Sequence, residues 1–207
     1  MKTAPIAPAQ IEFNADESPI SVDFADIYHS CVGAFQQAQD VFLQGNGLPE
    51  RWQGRTRFVV CEIGFGLGSN FLATWAAWRA DEQRCERLVF IGIEKHPPLQ
   101  ADLAQAHASS PVPDLAAQLV DAWPPLTHNL HGLQFEEGRL ELLLALGDAR
   151  DWARELVAQV DAFYLDGFAP ERNPDLWDPY LFKSLAKLAA PEATAASWCP
   201  AGTVRRD

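Results

Sequence analysis

Two hydrophobic periods alternate along the chain. Arg57-Phe-Val-Val-Cys-Glu-Ile63 is a near-continuous apolar run, the pattern required of a strand buried on both faces. It runs straight into glycines, and after Gly68 the apolar positions Phe71, Leu72, Trp75 and Trp78 fall on one helical face. The unit is strand, glycine turn, helix, with Trp75 and Trp78 assigned to the core. The alternation then repeats. Strands are predicted at Leu88–Ile93, Arg139–Leu146, Val160–Leu165 and Ala193–Trp198. Helices are predicted at Leu99–His107, around Asp114–Trp123 (interrupted by proline), Asp151–Ala158 and Trp177–Leu188. Strands alternating with helices give an α/β class: a doubly wound, mostly parallel sheet covered on both faces.

The segment before this core reads differently. Ile11 to Ile27 is acidic and mixed, with short alternations such as Ile20-Ser-Val22-Asp-Phe24 that suit edge strands or an extended arm. Gly33 to Leu43 carries apolar positions at helical spacing, and Gly45-Asn46-Gly47 supplies the stop. The expected organisation is an N-terminal arm and helix, residues 1–53, packed on a core of residues 54–207.

Composition narrows the class. An apolar fraction of 48% is ample for a buried core, and no run of about 18 uncharged apolar residues is present to cross a bilayer. Met1 to Ala9 has no signal-peptide stretch, so a cytoplasmic location without membrane attachment is expected. Cys31, Cys61, Cys85 and Cys199 are scattered without a C-x-x-C pair, arguing against zinc and disulfides, and Cys61 reads as core filler. The net charge of −12 is unusual for a protein that grips phosphates, and the basic residues are dispersed until Arg205 and Arg206.

The chemistry concentrates at strand ends. In Glu62-Ile-Gly64-Phe-Gly66-Leu-Gly68, alternate glycines let the backbone turn sharply and approach a ligand closely. Open parallel sheets bind ligands at the carboxyl ends of their strands, where this loop falls. A dinucleotide fingerprint would place its third glycine at Ser69, and Glu62 would repel a pyrophosphate. The same carboxylate would attract the sulfonium and ammonium of S-adenosylmethionine. Glu94 closes the next strand, placed to accept hydrogen bonds from ribose hydroxyls, and Asp148 the one after, where an adenine amino group could be read. The fourth strand ends in Asp166-Gly-Phe-Ala-Pro170, an acid at a buried strand tip beside a rigid loop, which is a reactive-site setting. His128 and His131 have an H-x-x-H spacing, but matching ligands are absent nearby; they are read as a surface loop, and no metal is assigned.

These residues carry a resemblance. Ile11-Glu-Phe-Asn14, Val41-Phe-Leu-Gln-Gly-Asn46, the loop from Glu62 to Phe71, Ile93-Glu-Lys95, Ala201-Gly-Thr-Val-Arg-Arg206 and above all Tyr164-Leu-Asp-Gly-Phe-Ala-Pro-Glu-Arg-Asn-Pro174 with Trp177 resemble the methyltransferase domain of the MnmC family, the bifunctional tRNA 5-methylaminomethyl-2-thiouridine biosynthesis enzymes, and its stand-alone relatives. The resemblance covers nearly the whole chain. It implies a Rossmann-like class I methyltransferase that methylates the 5-aminomethyl group of wobble (2-thio)uridine in tRNA, using S-adenosyl-L-methionine and no flavin. Glu62, Gly64, Gly66, Gly68, Glu94 and Asp148 would line the cofactor. Asp166 would be catalytic, and Phe168 and Tyr28 would meet the substrate. Lys95 and Asn46 match the family too, with structural roles at least as expected. An FAD-dependent oxidoreductase domain or protein is the implied partner.

Two departures accompany it. Pro191-Glu192-Ala193 stands where the family usually has Pro-Gly-Gly, which leaves that turn's geometry open. The sequence also stops where such a sheet would add its last two strands as a hairpin, so the core reads as C-terminally incomplete. A truncated, non-catalytic remnant or partner is therefore one rival reading. An NAD-linked oxidoreductase, disfavoured by Glu62 and Ser69, is the other.

Overall fold

The computed structural model describes residues 6–28 and 31–198. The N-terminal arm forms a small antiparallel sheet of β1 (Ile11–Phe13), β2 (Pro19–Ser21) and β3 (Asp26–Ile27). Helix α1 (Cys31–Gln37) follows and continues through wider π-type turns over Ala38–Leu43. The core then alternates β4 (Arg57–Ile63), α2 (Ser69–Ala80), β5 (Arg87–Glu94), α3 (Gln100–Ala106), α4 (Pro113–Asp121), β6 (Leu130–Phe135), β7 (Leu140–Leu146), α5 (Ala149–Glu155), β8 (Val160–Leu165), α6 (Pro179–Ala186) and β9 (Ala189–Ala196).

These strands make one sheet in the order β6-β7-β5-β4-β8-β9, parallel throughout except for β6 against β7. Successive residues of β4 point to opposite faces, which is why Phe58 to Cys61 and Ile63 are apolar, with Glu62 the one buried charge in the run. Phe58 and Val60 join the cluster holding Phe42, Trp75, Trp78 and Phe90; Val59, Cys61 and Ile63 join Ile93, Trp152, Leu181 and Leu185 on the other face. Trp75 and Trp78 are fully buried, as their spacing predicts, and burial pushes the Cys61 thiol up to about 12. The chain leaves β4 toward β5 and β7 on one side and returns to β8 and β9 on the other. This reversal of strand order opens a crevice beyond the carboxyl ends of β4 and β8.

Three departures from the sequence reading have physical causes. The stretch holding His128 and His131 is not simply a surface loop: His131 lies in β6, the antiparallel edge strand, and bonds to Thr127, while His128 stacks on Trp152 at 5.6 Å. Only Leu133 and Phe135 of β6 are buried, so its apolar signal is weak. The helix expected from Trp177 is a 3-10 turn, Pro174–Trp177, followed by α6, with Asp178 capping the Tyr180 amide and Pro179 in the first turn.

The last strand, finally, begins at Ala189 and passes through Pro191 and Glu192. Its pairing with β8 shifts register there, and Glu192 takes φ +63°, a left-handed conformation that glycine would adopt without strain. Arg51 clasps this irregularity by donating to the Glu192 carbonyl (2.9 Å), the Asp161 carbonyl (3.1 Å) and the Thr194 hydroxyl (2.5 Å). Asn46 braces the same corner, donating to the Phe42 and Phe163 carbonyls and accepting from Thr194, a structural role. Cys199 and the segment 201–206 lie outside the described residues.

Candidate active site

The glycine turn is built to pass under other parts of the fold. Gly64, Gly66 and Gly68 all have positive φ, and a Cβ on Gly64 would sit 1.8 Å from the Asp166 carbonyl oxygen. That contact is what lets the β4 turn lie against the β8 turn. Between Gly64 and Gly66, Phe65 plunges into the core over Gly92, where a Cβ would meet its ring at 2.3 Å, and stacks on Trp123. His107 bonds through Nε2 to the Leu67 carbonyl at 2.7 Å, and burial lowers its proton affinity, so it is a neutral brace.

A cavity of about 610 Å³ opens between this turn, the neighbouring strand ends and the arm. Such a volume suits a small-molecule site. Gly64, Gly66, Glu94, Asp148, Asp166, Phe168 and Tyr28 all line it, so the structure brings seven of the nine predicted site residues together. The remaining two lie just outside the lining. Gly68 is the cap of α2, and Glu62 is 1% exposed, one layer beneath the wall.

The acids divide into tied and untied. Glu94 accepts from the amides of Gly66 and His96, both at 2.7 Å, so its first task is to hold the glycine turn; a carboxylate has lone pairs left for a ribose. Asp148 caps α5 by accepting from the Arg150 amide, and pairs with Lys95 (3.2 Å) and Arg150 (3.3 Å). Burial pushes its carboxyl up, but hydrogen bonds from Arg150 and Lys95 outweigh this and hold it below the usual range. Lys95 is thereby occupied at the rim.

Among the described residues, no such cation is bonded to Glu62 or Asp166. Asn70, the second residue of α2, donates from one amide nitrogen to Glu62 Oε1 (2.5 Å) and to Asp166 Oδ2 (2.7 Å). Glu62 Oε2 is buried without a hydrogen-bond partner. Burial, then the charge of Asp166, push the Glu62 carboxyl well up. Burial likewise raises Asp166 to about 6, against hydrogen bonds from Asn70 and Trp198. Two neighbouring acids compensated by a neutral amide make an environment that favours a cation and repels a pyrophosphate.

The arm supplies the opposite wall. Phe24 stacks on Phe168 with ring centroids 4.6 Å apart, and Tyr28 meets Phe168 edge-on at 5.2 Å. Arg172, in the loop after β8, fastens the arm by donating to the Phe24 and Ala25 carbonyls and facing Asp26. Sequence reasoning singled out neither Asn70, Phe24, His107 nor Trp198. Only Asn70 had a readable signal, its place directly after the glycine turn. Among the described residues no group of three or more His, Cys, Asp or Glu side chains is arranged to hold a metal ion, and no helix is long and apolar enough to cross a membrane.

The donor set fits S-adenosyl-L-methionine. The glycines clear a path for it, Glu94 and Asp148 stand at successive strand ends, and beneath the turn lies the Glu62 carboxylate, only one of whose oxygens has a hydrogen-bond partner among the described residues.

Comparison with known proteins agrees. A family described as S-adenosyl-L-methionine-dependent methyltransferase matches residues 110–207. A protein of Methylibium petroleiphilum named tRNA 5-methylaminomethyl-2-thiouridine biosynthesis bifunctional protein MnmC is 58% identical over 205 residues, covering 99% of this chain and 31% of that protein. Its namesake in Paraburkholderia phymatum is 53% identical, covering 99% of this chain and 32% of that protein. The chain thus spans about a third of the length of these relatives. The crystal structure of MNMC2 from Aquifex aeolicus superposes with a TM-score of 0.72 at 24% identity, over 96% of this chain and 62% of that one, a likeness of fold. With the glycine turn and the strand-end acids in place, the chain matches the S-adenosyl-L-methionine-dependent methyltransferase family over residues 110–207 and is similar over nearly its whole length to about a third of the MnmC proteins.

Proposed function

We propose that this chain transfers a methyl group from S-adenosyl-L-methionine to the 5-aminomethyl group of wobble (2-thio)uridine in tRNA, giving 5-methylaminomethyl-(2-thio)uridine. The observation that carries the reading is the Glu62–Asn70–Asp166 cluster beside a cavity walled by Phe24, Tyr28 and Phe168. The names of the relatives point to the same nucleoside. The cofactor, when bound, supplies an electrophilic methyl group on a sulfonium.

The protein's own part is mostly placement. Glu62 and Asp166 give the site negative charge, Glu94 and Asp148 serve the ribose and adenine, and the glycines keep the path clear. Asp166 would hydrogen-bond the amine through a carboxylate oxygen and orient its lone pair; as the N–C bond forms and the methyl group leaves the sulfur behind as a neutral thioether, Asp166 would stabilise the positive charge on nitrogen or accept its proton. A carboxyl raised to about 6 is ionised at neutral pH yet basic enough for that task. Phe168, with Tyr28 and Phe24, offers an aromatic wall for the uracil and excludes water.

In this reading residues 1–53 are an arm packed on the 54–207 core, and the enzyme works in the cytoplasm. It carries no flavin and acts on the aminomethyl form, while an FAD-dependent oxidoreductase domain or protein supplies that form from the carboxymethylaminomethyl one.

The test is incubation of purified chain with S-adenosyl-L-methionine and tRNA bearing either form, followed by nucleoside mass spectrometry. A gain of one methyl group on aminomethyluridine alone is expected. Conversion of the carboxymethylaminomethyl form by the chain on its own would sink the reading. Cofactor binding without any product would favour a non-catalytic piece.

A further inference from the structure

We propose that Asn70 is the positioning residue of this site, holding the cofactor-side acid Glu62 and the acceptor-side acid Asp166 on one shared amide that favours their ionisation when a cation binds; the inference rests on the methyltransferase reading above. The nitrogen end of the amide faces the acids. An ionised carboxylate only accepts hydrogen bonds, and a primary amide nitrogen has two hydrogens, so the two contacts at 2.5 and 2.7 Å use both. Asn70 is itself fixed. Its backbone carbonyl accepts from the Thr74 hydroxyl at 2.7 Å, and Thr74 meets the Tyr164 hydroxyl at 3.2 Å, tying the start of α2 to β8.

The choice of residue type has a consequence. Two acids this close commonly settle by sharing a proton. A lysine or arginine between them would keep both ionised but cancel their charge. An amide does neither: it stabilises each carboxylate by a hydrogen bond and leaves the negative charge for a cationic cofactor and for the positive charge that develops on the amine. The other titratable groups facing the pair are Glu94 at the end of β5 and the Tyr164 phenol on β8, with Cys61 next to Glu62 and Tyr28 reaching Glu94 from the arm. None of these described groups is a cation, so protonation is opposed by hydrogen bonds, from Asn70 to both acids and from Trp198 to Asp166 alone.

The experiment compares the parent chain with Asn70→Leu, which keeps the size and removes the donor, by calorimetric titration with S-adenosyl-L-methionine across pH. Without the amide both acids hold protons more tightly, and the cofactor must expel them. The expected result is affinity reduced about tenfold or more near pH 6, converging on the parent near pH 9. Proton release on binding, read from buffers of different ionisation enthalpy, should rise at the lower pH. A merely structural asparagine would cost affinity equally at every pH. That outcome, or unchanged affinity, overturns the proposal. Asn70→Ser, which retains one donor, should show a smaller shift of the same form and decides the matter if the leucine variant fails to fold. A parent chain that takes up no S-adenosyl-L-methionine would instead overturn the cofactor reading itself, and this inference with it.

Discussion

Strand β8 has an aspartate at each end, and the two are treated in opposite ways. At its beginning, Asp161 is buried but fully answered: Oδ1 accepts from Arg55 and Oδ2 from the Val59 amide, both at 2.8 Å. Just past its end, Asp166 meets the neutral donors Asn70 and Trp198, with Glu62 as an unfavourable neighbour. The first arrangement pins β8 to β4 and does nothing else. The second leaves a charge under-compensated beside a cavity. Residue type and strand are shared, so the difference lies in the partners: a cation closes an acid into structure, whereas an amide leaves it available for chemistry.

The largest expected effect breaks the reactive end. Asp166→Asn keeps the shape and removes the charge, so methyl transfer should fall about 10²–10⁴-fold while cofactor affinity changes far less. Stability should move the other way. Because the folded pKa of about 6 lies above the unfolded value, the folded state holds its proton more tightly, and stability is lost as pH rises from about 4 through about 6. The asparagine variant escapes that loss. With the carboxyl open to the cavity, it should be about 1–2 kcal/mol more stable than the parent near pH 8 and no more stable near pH 4, measurable by denaturant unfolding. Equal turnover by parent and variant would make Asp166 a loop cap.

A smaller effect breaks the structural end. Asp161→Ala strands the Val59 amide and the Arg55 guanidinium, the latter 44% exposed and so partly rehydrated; a loss of about 2 kcal/mol is expected. The kinetics of whatever protein remains folded should match the parent. A selective drop in turnover would erase the contrast between the two ends.

The smallest effect sharpens the frame beside them. Glu192→Gly relieves a left-handed backbone conformation on β9 and should stabilise by about 0.5–1 kcal/mol in thermal unfolding, since the Arg51 clasp holds the carbonyl and not the side chain. Destabilisation would mean the Glu192 side chain contributes what the geometry does not show.

How much of this was readable in the sequence follows from how local each signal is. The buried strands, the glycine turn and the acids at strand ends announce themselves through apolar runs broken by Gly or Asp, and seven of the nine expected site residues do line one cavity. Edge elements were harder. The strand β6 is exposed on most positions and has little pattern to read, and the bulge at Glu192 is set by Arg51, far away in sequence. Asn70 could be read only by its place after the glycine turn; its partners could not, because the two acids lie at the ends of different strands that only the parallel pairing of β4 with β8 brings together. The aromatic wall needed the arm to fold back, which Arg172 accomplishes through backbone carbonyls that carry no sequence signature.

The central claim is that the under-compensated acids at the ends of β4 and β8 select a cationic cofactor. Side-by-side calorimetric titration of the parent chain with S-adenosyl-L-methionine and NAD tests it most directly. Saturable, one-site binding of S-adenosyl-L-methionine and no measurable binding of NAD are expected; NAD binding as tightly, or S-adenosyl-L-methionine not binding at all, would contradict a role for these acids in choosing the cofactor.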